Sequence, residues 1–183
     1  MNTEDLIKDF NKKFESRLST YLTKKDIRRI DNFLKNQIGK YIQDIEQLQK
    51  ELFNYKKTKK ARFIDLSTKE YHRSFIACAI GAKYKNVGTF GTTVGHISNF
   101  NNYLPLYRML LKLGEIGKKS SLKEKNGRRN TVGRCAEVKA SYSLFNKDKS
   151  TNFSQIEFTN AYRPRTLQII ERCNNCKSVF GNV

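Results

Sequence analysis

No stretch of this chain approaches the roughly 18 to 20 consecutive apolar residues of a membrane-spanning helix, which excludes a span of that kind. The opening, MNTEDLIKDFNKKF, lacks the charged, apolar and small-residue order of a secretory signal, so a soluble protein without a classical export leader is expected. Acidic residues are scarce: 17 Asp and Glu face 36 Lys and Arg, leaving 19 excess positive charges spread along the whole length. A polyanionic partner, nucleic acid or an acidic protein, answers such a surplus, although a solvated Lys-rich surface would carry it too. Histidine is nearly missing, with only His72 and His96, and cysteine is limited to Cys78, Cys135, Cys173 and Cys176. Four cysteines would suffice for two disulfides in a secreted protein. The C-x-x-C spacing of Cys173 and Cys176 and the lack of a leader argue instead for a reduced compartment and a metal. What remains is ample for folding, since 183 residues with 38% apolar content can build one ordinary domain and a helical appendage without disulfide support.

Leu6, Phe10, Phe14 and Leu18 recur in steps of four and mark one face of an amphipathic helix over residues 5–22. Thr23 and Asp26 resemble a capping box, after which Ile27, Ile30, Leu34, Ile38, Tyr41, Ile45, Leu48, Leu52 and Tyr55 advance by threes and fours without a proline. That pattern predicts a long helix coiled against the first or against a docking partner. The run Lys56-Lys57-Thr58-Lys59-Lys60 ends it, so residues 1–57 are expected to form a helical arm and residues 58–183 a second domain. There the texture becomes β-like. Strands are expected over 62–66, 74–84 and 87–94, a helix over 103–113, a mobile basic loop over 114–131, a helix over 134–145, a strand over 156–162 and a short helix opening near Cys173. The order describes an α/β domain whose sheet is covered by helices.

Chemistry concentrates in two segments. Gly133-Arg134-Cys135-Ala136-Glu137 places a thiol and a carboxylate two apart at an expected helix start, and Arg172-Cys173-Asn174-Asn175-Cys176 follows after one strand. Helix N-termini favour thiolates, so Cys135, Cys173 and Cys176 could fill three tetrahedral positions on zinc and leave the fourth for water. Glu137, beside the metal without ligating it, would move protons. Cys78, in an apolar run, reads as a buried strand residue, with a closed four-sulfur site as the alternative.

Cys-Ala-Glu followed by Cys-x-x-Cys is similar to the zinc signature of the cytidine deaminase-like superfamily, and the glycine before it resembles the YwqJ-like branch of bacterial toxin deaminases. The resemblance covers roughly residues 61–183. It implies a three-layer α/β fold, zinc as cofactor, and deamination of cytosine, with Cys135, Cys173 and Cys176 as ligands and Glu137 as proton shuttle. It also implies a protein made in a bacterial cytoplasm, delivered by a specialised secretion system to a target cell, and countered by an acidic immunity protein. Two features depart from the pattern: Arg172 stands where many members have proline, and only seven residues follow Cys176, which suggests a trimmed sheet or one completed by something else. Thr93 and His96, in and just after the Gly-Thr-Thr-Val-Gly stretch, are expected at the rim of a substrate pocket, while Arg134 and Arg163, with Arg128, Arg129 and Arg165, flank it as phosphate contacts or as a solvated loop. Phe90, Tyr103 and Tyr162 could stack a base or belong to the core. The substrate is expected to be DNA or RNA. The competing readings are a zinc-stabilised nucleic-acid-binding protein without catalysis and a deaminase of free nucleosides or nucleotides, and adenine would undergo the same chemistry at C6.

Overall fold

A computed structural model describes residues 3–21, 26–59, 64–68, 71, 74–94, 97 and 99–181. The spacing of four in the first segment produces α1, Thr3–Ser19, and the longer periodic run produces α2, Ile27–Lys59. Asp26 caps α2, its carboxylate accepting the Arg28 amide at 3.3 Å; Thr23, expected to open the same cap, lies outside the described residues. The two helices meet through the Phe14 and Tyr41 rings, 4.8 Å between centroids, and a 2.8 Å Arg17–Asp44 ion pair.

Residues 79–92 form a hairpin of β1, Ala79–Tyr84, and β2, Val87–Thr92, paired antiparallel around Lys85-Asn86. The other edge of β1 is followed first by β3, Glu157–Phe158, and then by β4, Ala161–Arg163. The strand expected over 156–162 is thus broken at Thr159, whose amide donates to the Gly81 carbonyl while its hydroxyl accepts the Gly81 amide. A strand absent from the sequence reading, β5, Gln168–Ile170, pairs with β4, giving the order β2-β1-β4-β5 with every pairing antiparallel. Two other expectations are corrected. Ile64 to Leu66 are not a strand, because the Gln49 side chain of α2 takes both the Ile64 carbonyl and the Leu66 amide; residues 62 and 63 lie outside the described ones. Residues 74–78 also stay out of the sheet, since the Thr93 hydroxyl accepts the Ala77 and Cys78 amides that a neighbouring strand would otherwise satisfy.

Helices cover both faces of this sheet. On one, Ile30 of α2 seats over Gly81 and Gly88, and Phe90 packs against Tyr21 and Phe33. On the other, Ile80, Ala82 and Tyr84 meet Ala136, Ala140 and Leu144 of α4, Ala136–Lys147. Ile7, Phe14, Leu34, Ile38 and Tyr41 share one core with Phe75, Ile76, Ala79 and Tyr162, so the periodic faces of α1 and α2 are covered within the chain. Two shorter helices, α3, Leu104–Leu111, and α5, Asn174–Phe180, build a further apolar cluster with Phe100, Val132 and Val138. Among the described residues no helix is long and apolar enough to cross a membrane.

One contact sets where α4 lies. A Cβ on Gly91 would stand 1.9 Å from the Ala136 carbonyl oxygen and 2.6 Å from the Ala140 nitrogen, so β2 and α4 approach backbone to backbone. Thr89, on the same face, donates its hydroxyl to the Ala140 carbonyl at 3.0 Å. Gly91→Val should therefore destabilise by at least about 1–3 kcal/mol, because backbone atoms cannot rotate away. Gly39→Ala, in a helix position with open space around it, should instead stabilise by about 0.5–1 kcal/mol. Denaturant titration of both variants checks the pair, and a Gly91→Val protein as stable as wild type would contradict the packing.

Candidate metal centre

Both cysteine motifs sit at helix starts. Cys135 is the N-cap of α4 with extended backbone (φ −68°, ψ 146°), and Cys173 has the same place at α5 (φ −69°, ψ 160°). The turn into Cys135 depends on Gly133, whose φ is +82° and whose missing Cβ would meet Phe100 at 2.9 Å. Cys176 follows in the first turn of α5 and is fully buried. The three sulfurs lie within 4.8 Å of one another, with Cys135 Sγ and Cys173 Sγ 3.4 Å apart. Tetrahedral zinc with bonds of about 2.3 Å separates its sulfur ligands by about 3.8 Å, a spacing this cluster brackets. The residues therefore fit a metal ion. Among the described residues the cluster has these three members; Cys78 is outside it, and His72 and His96 lie outside the described residues.

Crowding divides the three thiols. Hydrogen bonds from Cys135 and then Cys176 lower the Cys173 thiol to about 3. Its bond with Cys173 pushes Cys135 up, and bonds with Cys135 and Cys173, followed by burial, push Cys176 up. Crowding thus favours the thiolate at Cys173 over Cys135 and Cys176, and a divalent cation would favour thiolates at all three.

Glu137 stands in the first turn of α4, 4% exposed, and is not one of the cluster's ligating groups. Burial raises its carboxyl above the ordinary range, and the negative Cys173 sulfur adds to the rise. Glu137, Cys135 and Cys173 line one cavity of about 610 Å³, whereas Cys176 lies behind it. Phe75, Val94 and Ile170 make its wall apolar, Asn130 and Thr131 add polar groups, and Lys119, Arg134 and Arg163 outnumber the single further acid, Glu171. A partly apolar molecule with an anionic group suits such a lining.

Of the expected pocket residues, Thr93, Arg134 and Arg163 do line this cavity, and both arginines are exposed. Thr93 has a structural task as well, since its oxygen holds the Ala77 and Cys78 amides. His96 lies outside the described residues. Arg128 and Arg129 are exposed away from the cavity lining. Arg165 covers the Phe75 ring at 4.5 Å, on a residue of the cavity wall. Phe90, Tyr103 and Tyr162 belong to the core: Phe90 meets Tyr21 and Phe33, Tyr103 stacks on Phe145 at 4.4 Å, and the Tyr162 hydroxyl donates to Asp31. Phe75, Ile170, Lys119 and Asn130 were not singled out from the sequence. Lys119 and Asn130 had one signal, their place in the basic loop expected near the site; Phe75 and Ile170 had none.

That loop is tied down by hydrogen bonds. Ser120 donates its amide to the Asn130 carbonyl, Val132 to Lys118 and Gly117 to Val132, around a Lys119–Thr131 bridge. No protein-family model matches the chain, and no curated protein or solved structure matches it either.

The cluster predicts one metal ion per chain. Changing Cys135, Cys173 or Cys176 to serine should abolish or greatly weaken binding, and Cys78→Ser should leave it intact. Metal analysis of the four purified variants checks this, and metal loss in Cys78→Ser would point to a closed four-sulfur site.

Proposed function

We propose that the cavity is the active site of a zinc-dependent hydrolytic deaminase that converts cytosine to uracil in nucleic acid. One observation carries this reading: two sulfurs of the three-sulfur cluster and a buried, non-ligating carboxylate share the wall of a single cavity. The order of hairpin, α3, helix with Cys-Ala-Glu, strands β3 to β5 and helix with Cys-x-x-Cys, on a sheet covered on both faces, is compatible with a cytidine deaminase-like fold. Zinc, when bound, would supply the acidity that brings a water's pKa from about 15.7 towards about 7. The Glu137 carboxylate takes one proton of the attacking water and delivers it to N3 as the C4–O bond forms, then takes the proton of the new C4 hydroxyl and hands it to the exocyclic amine, so that the C4–N bond breaks to uracil and ammonia. Phe75, Val94 and Ile170 offer the base an apolar seat, and Lys119, Arg134 and Arg163 offer its phosphates positive charge. The surplus of 19 positive charges suits an acidic partner protein, and a role as a bacterial toxin held in check by such a partner rests on the resemblance of the two cysteine motifs to those of toxin deaminases.

The rival is a metal that only staples the fold. It is favoured by Cys135 and Cys176 belonging to the same apolar cluster as Phe100, Leu106 and Val179. Glu137→Gln separates the two. Deamination should fall by about 100-fold to 10,000-fold with zinc content and thermal stability retained. Near-normal turnover in that variant would sink the mechanism, and zinc loss would make Glu137 structural.

Cytidine, single-stranded DNA, duplex DNA and RNA compared for uracil formation test the substrate. Unpaired cytosine in a polynucleotide should react best, because flipping a stacked base costs a few kcal/mol. If Lys119, Arg134 and Arg163 each neutralise one phosphate, single-strand affinity should fall roughly 20-fold between about 50 and about 200 mM salt. Faster turnover of free cytidine with no salt effect would remove the nucleic-acid part, and hypoxanthine from adenine would change the base.

A further inference from the structure

The segment joining α3 to α4 reaches the cysteine cluster through a residue that neither cysteine motif contains. Glu124 Oε1 accepts the backbone N–H of Asn174, the first residue of α5, at 3.0 Å, and the same oxygen accepts Asn130 Nδ2 at 2.8 Å. Oε2 lies 3.2 Å from the Asn174 nitrogen. The Asn174 side chain returns to the segment, donating to the Lys123 carbonyl at 2.7 Å. Asn130 and Cys173 line the same cavity. Cys173, as N-cap, makes no side-chain cap of its own, and Glu124 satisfies from fifty residues away one of the first-turn N–H groups that have no partner within the helix.

The geometry points to Glu124 as a positioning residue of the metal centre: it fixes the start of α5, and with it Cys173 and Cys176, and it holds the Asn130 side chain in the wall of the cavity that Cys173 lines. The inference rests on the three cysteines being metal ligands. Glu124 acts by shape rather than charge, because both short bonds use one oxygen. The turn around it is separate, since Gly127 N–H to the Glu124 carbonyl and Glu124 N–H to the Arg128 carbonyl are backbone bonds that a side-chain change leaves in place. Partners that hold a ligand's orientation govern metal affinity and the ligand field as well as stability.

The test compares wild type, Glu124→Gln, Glu124→Ala and Asn130→Ala in the full chain. Zinc affinity is read by competition with a chromophoric chelator, and the site by the thiolate-to-cobalt(II) absorption bands. Glu124→Ala should bind zinc about 10-fold to 100-fold more weakly with displaced cobalt bands, and Asn130→Ala about tenfold more weakly. Glu124→Gln should stay within about threefold of wild type, because its carbonyl oxygen keeps both short bonds. Wild-type affinity and cobalt bands in Glu124→Ala, or Glu124→Gln failing as badly as Glu124→Ala, would overturn the assignment. If Glu124→Ala does not fold, unchanged affinity and bands in Asn130→Ala overturn it instead. A wild-type chain that takes up neither zinc nor cobalt refutes the metal reading itself, which is a different result from any of these.

Discussion

Three thiols held within 4.8 Å of one another, two of them buried, repel one another as soon as more than one ionises, and a divalent cation is the simplest way to relieve that repulsion. The surrounding structure brings the sulfurs together and prevents their separation. Gly91 lets β2 meet the α4 backbone, Gly133 turns the chain into Cys135, and the loop between α3 and α4 ties the start of α5 to the same place. Two helix N-termini converge on the cluster, and their partial positive charge offsets some of the electron density that three thiolates give a metal.

The cluster also divides two environments. Behind it, Cys135 and Cys176 join Phe100, Leu106, Val138 and Val179 in an apolar group that keeps water out. In front, Cys135 and Cys173 border a cavity with Glu137 and three cationic side chains. A structural metal has no use for the second environment. The asymmetry, together with Glu137 lying beside the cluster but outside its ligand set, is what separates the deaminase reading from a staple.

What could be read in the sequence follows the range of the forces involved. α2 was legible because its burial repeats every three or four residues, and Cys135, Glu137, Cys173 and Cys176 because their short spacings restrict them to single helical turns. The start of β1 was not, since it depends on the Thr93 hydroxyl reaching the Ala77 and Cys78 amides across the hairpin. The same is true of Ile64 to Leu66, where Gln49 replaces a strand partner. β5 has three residues and no alternation to betray it. Glu124 was invisible among the charges of a basic loop, because its meaning lies in an amide fifty residues away.

The central claim is that these three sulfurs hold a metal whose fourth position opens on the cavity. X-ray absorption spectroscopy of the zinc-loaded protein tests it most directly. The account predicts three sulfur ligands at about 2.3 Å and one oxygen or nitrogen at about 2.0 Å; four sulfurs, with Cys78 drawn in as the last, would contradict it.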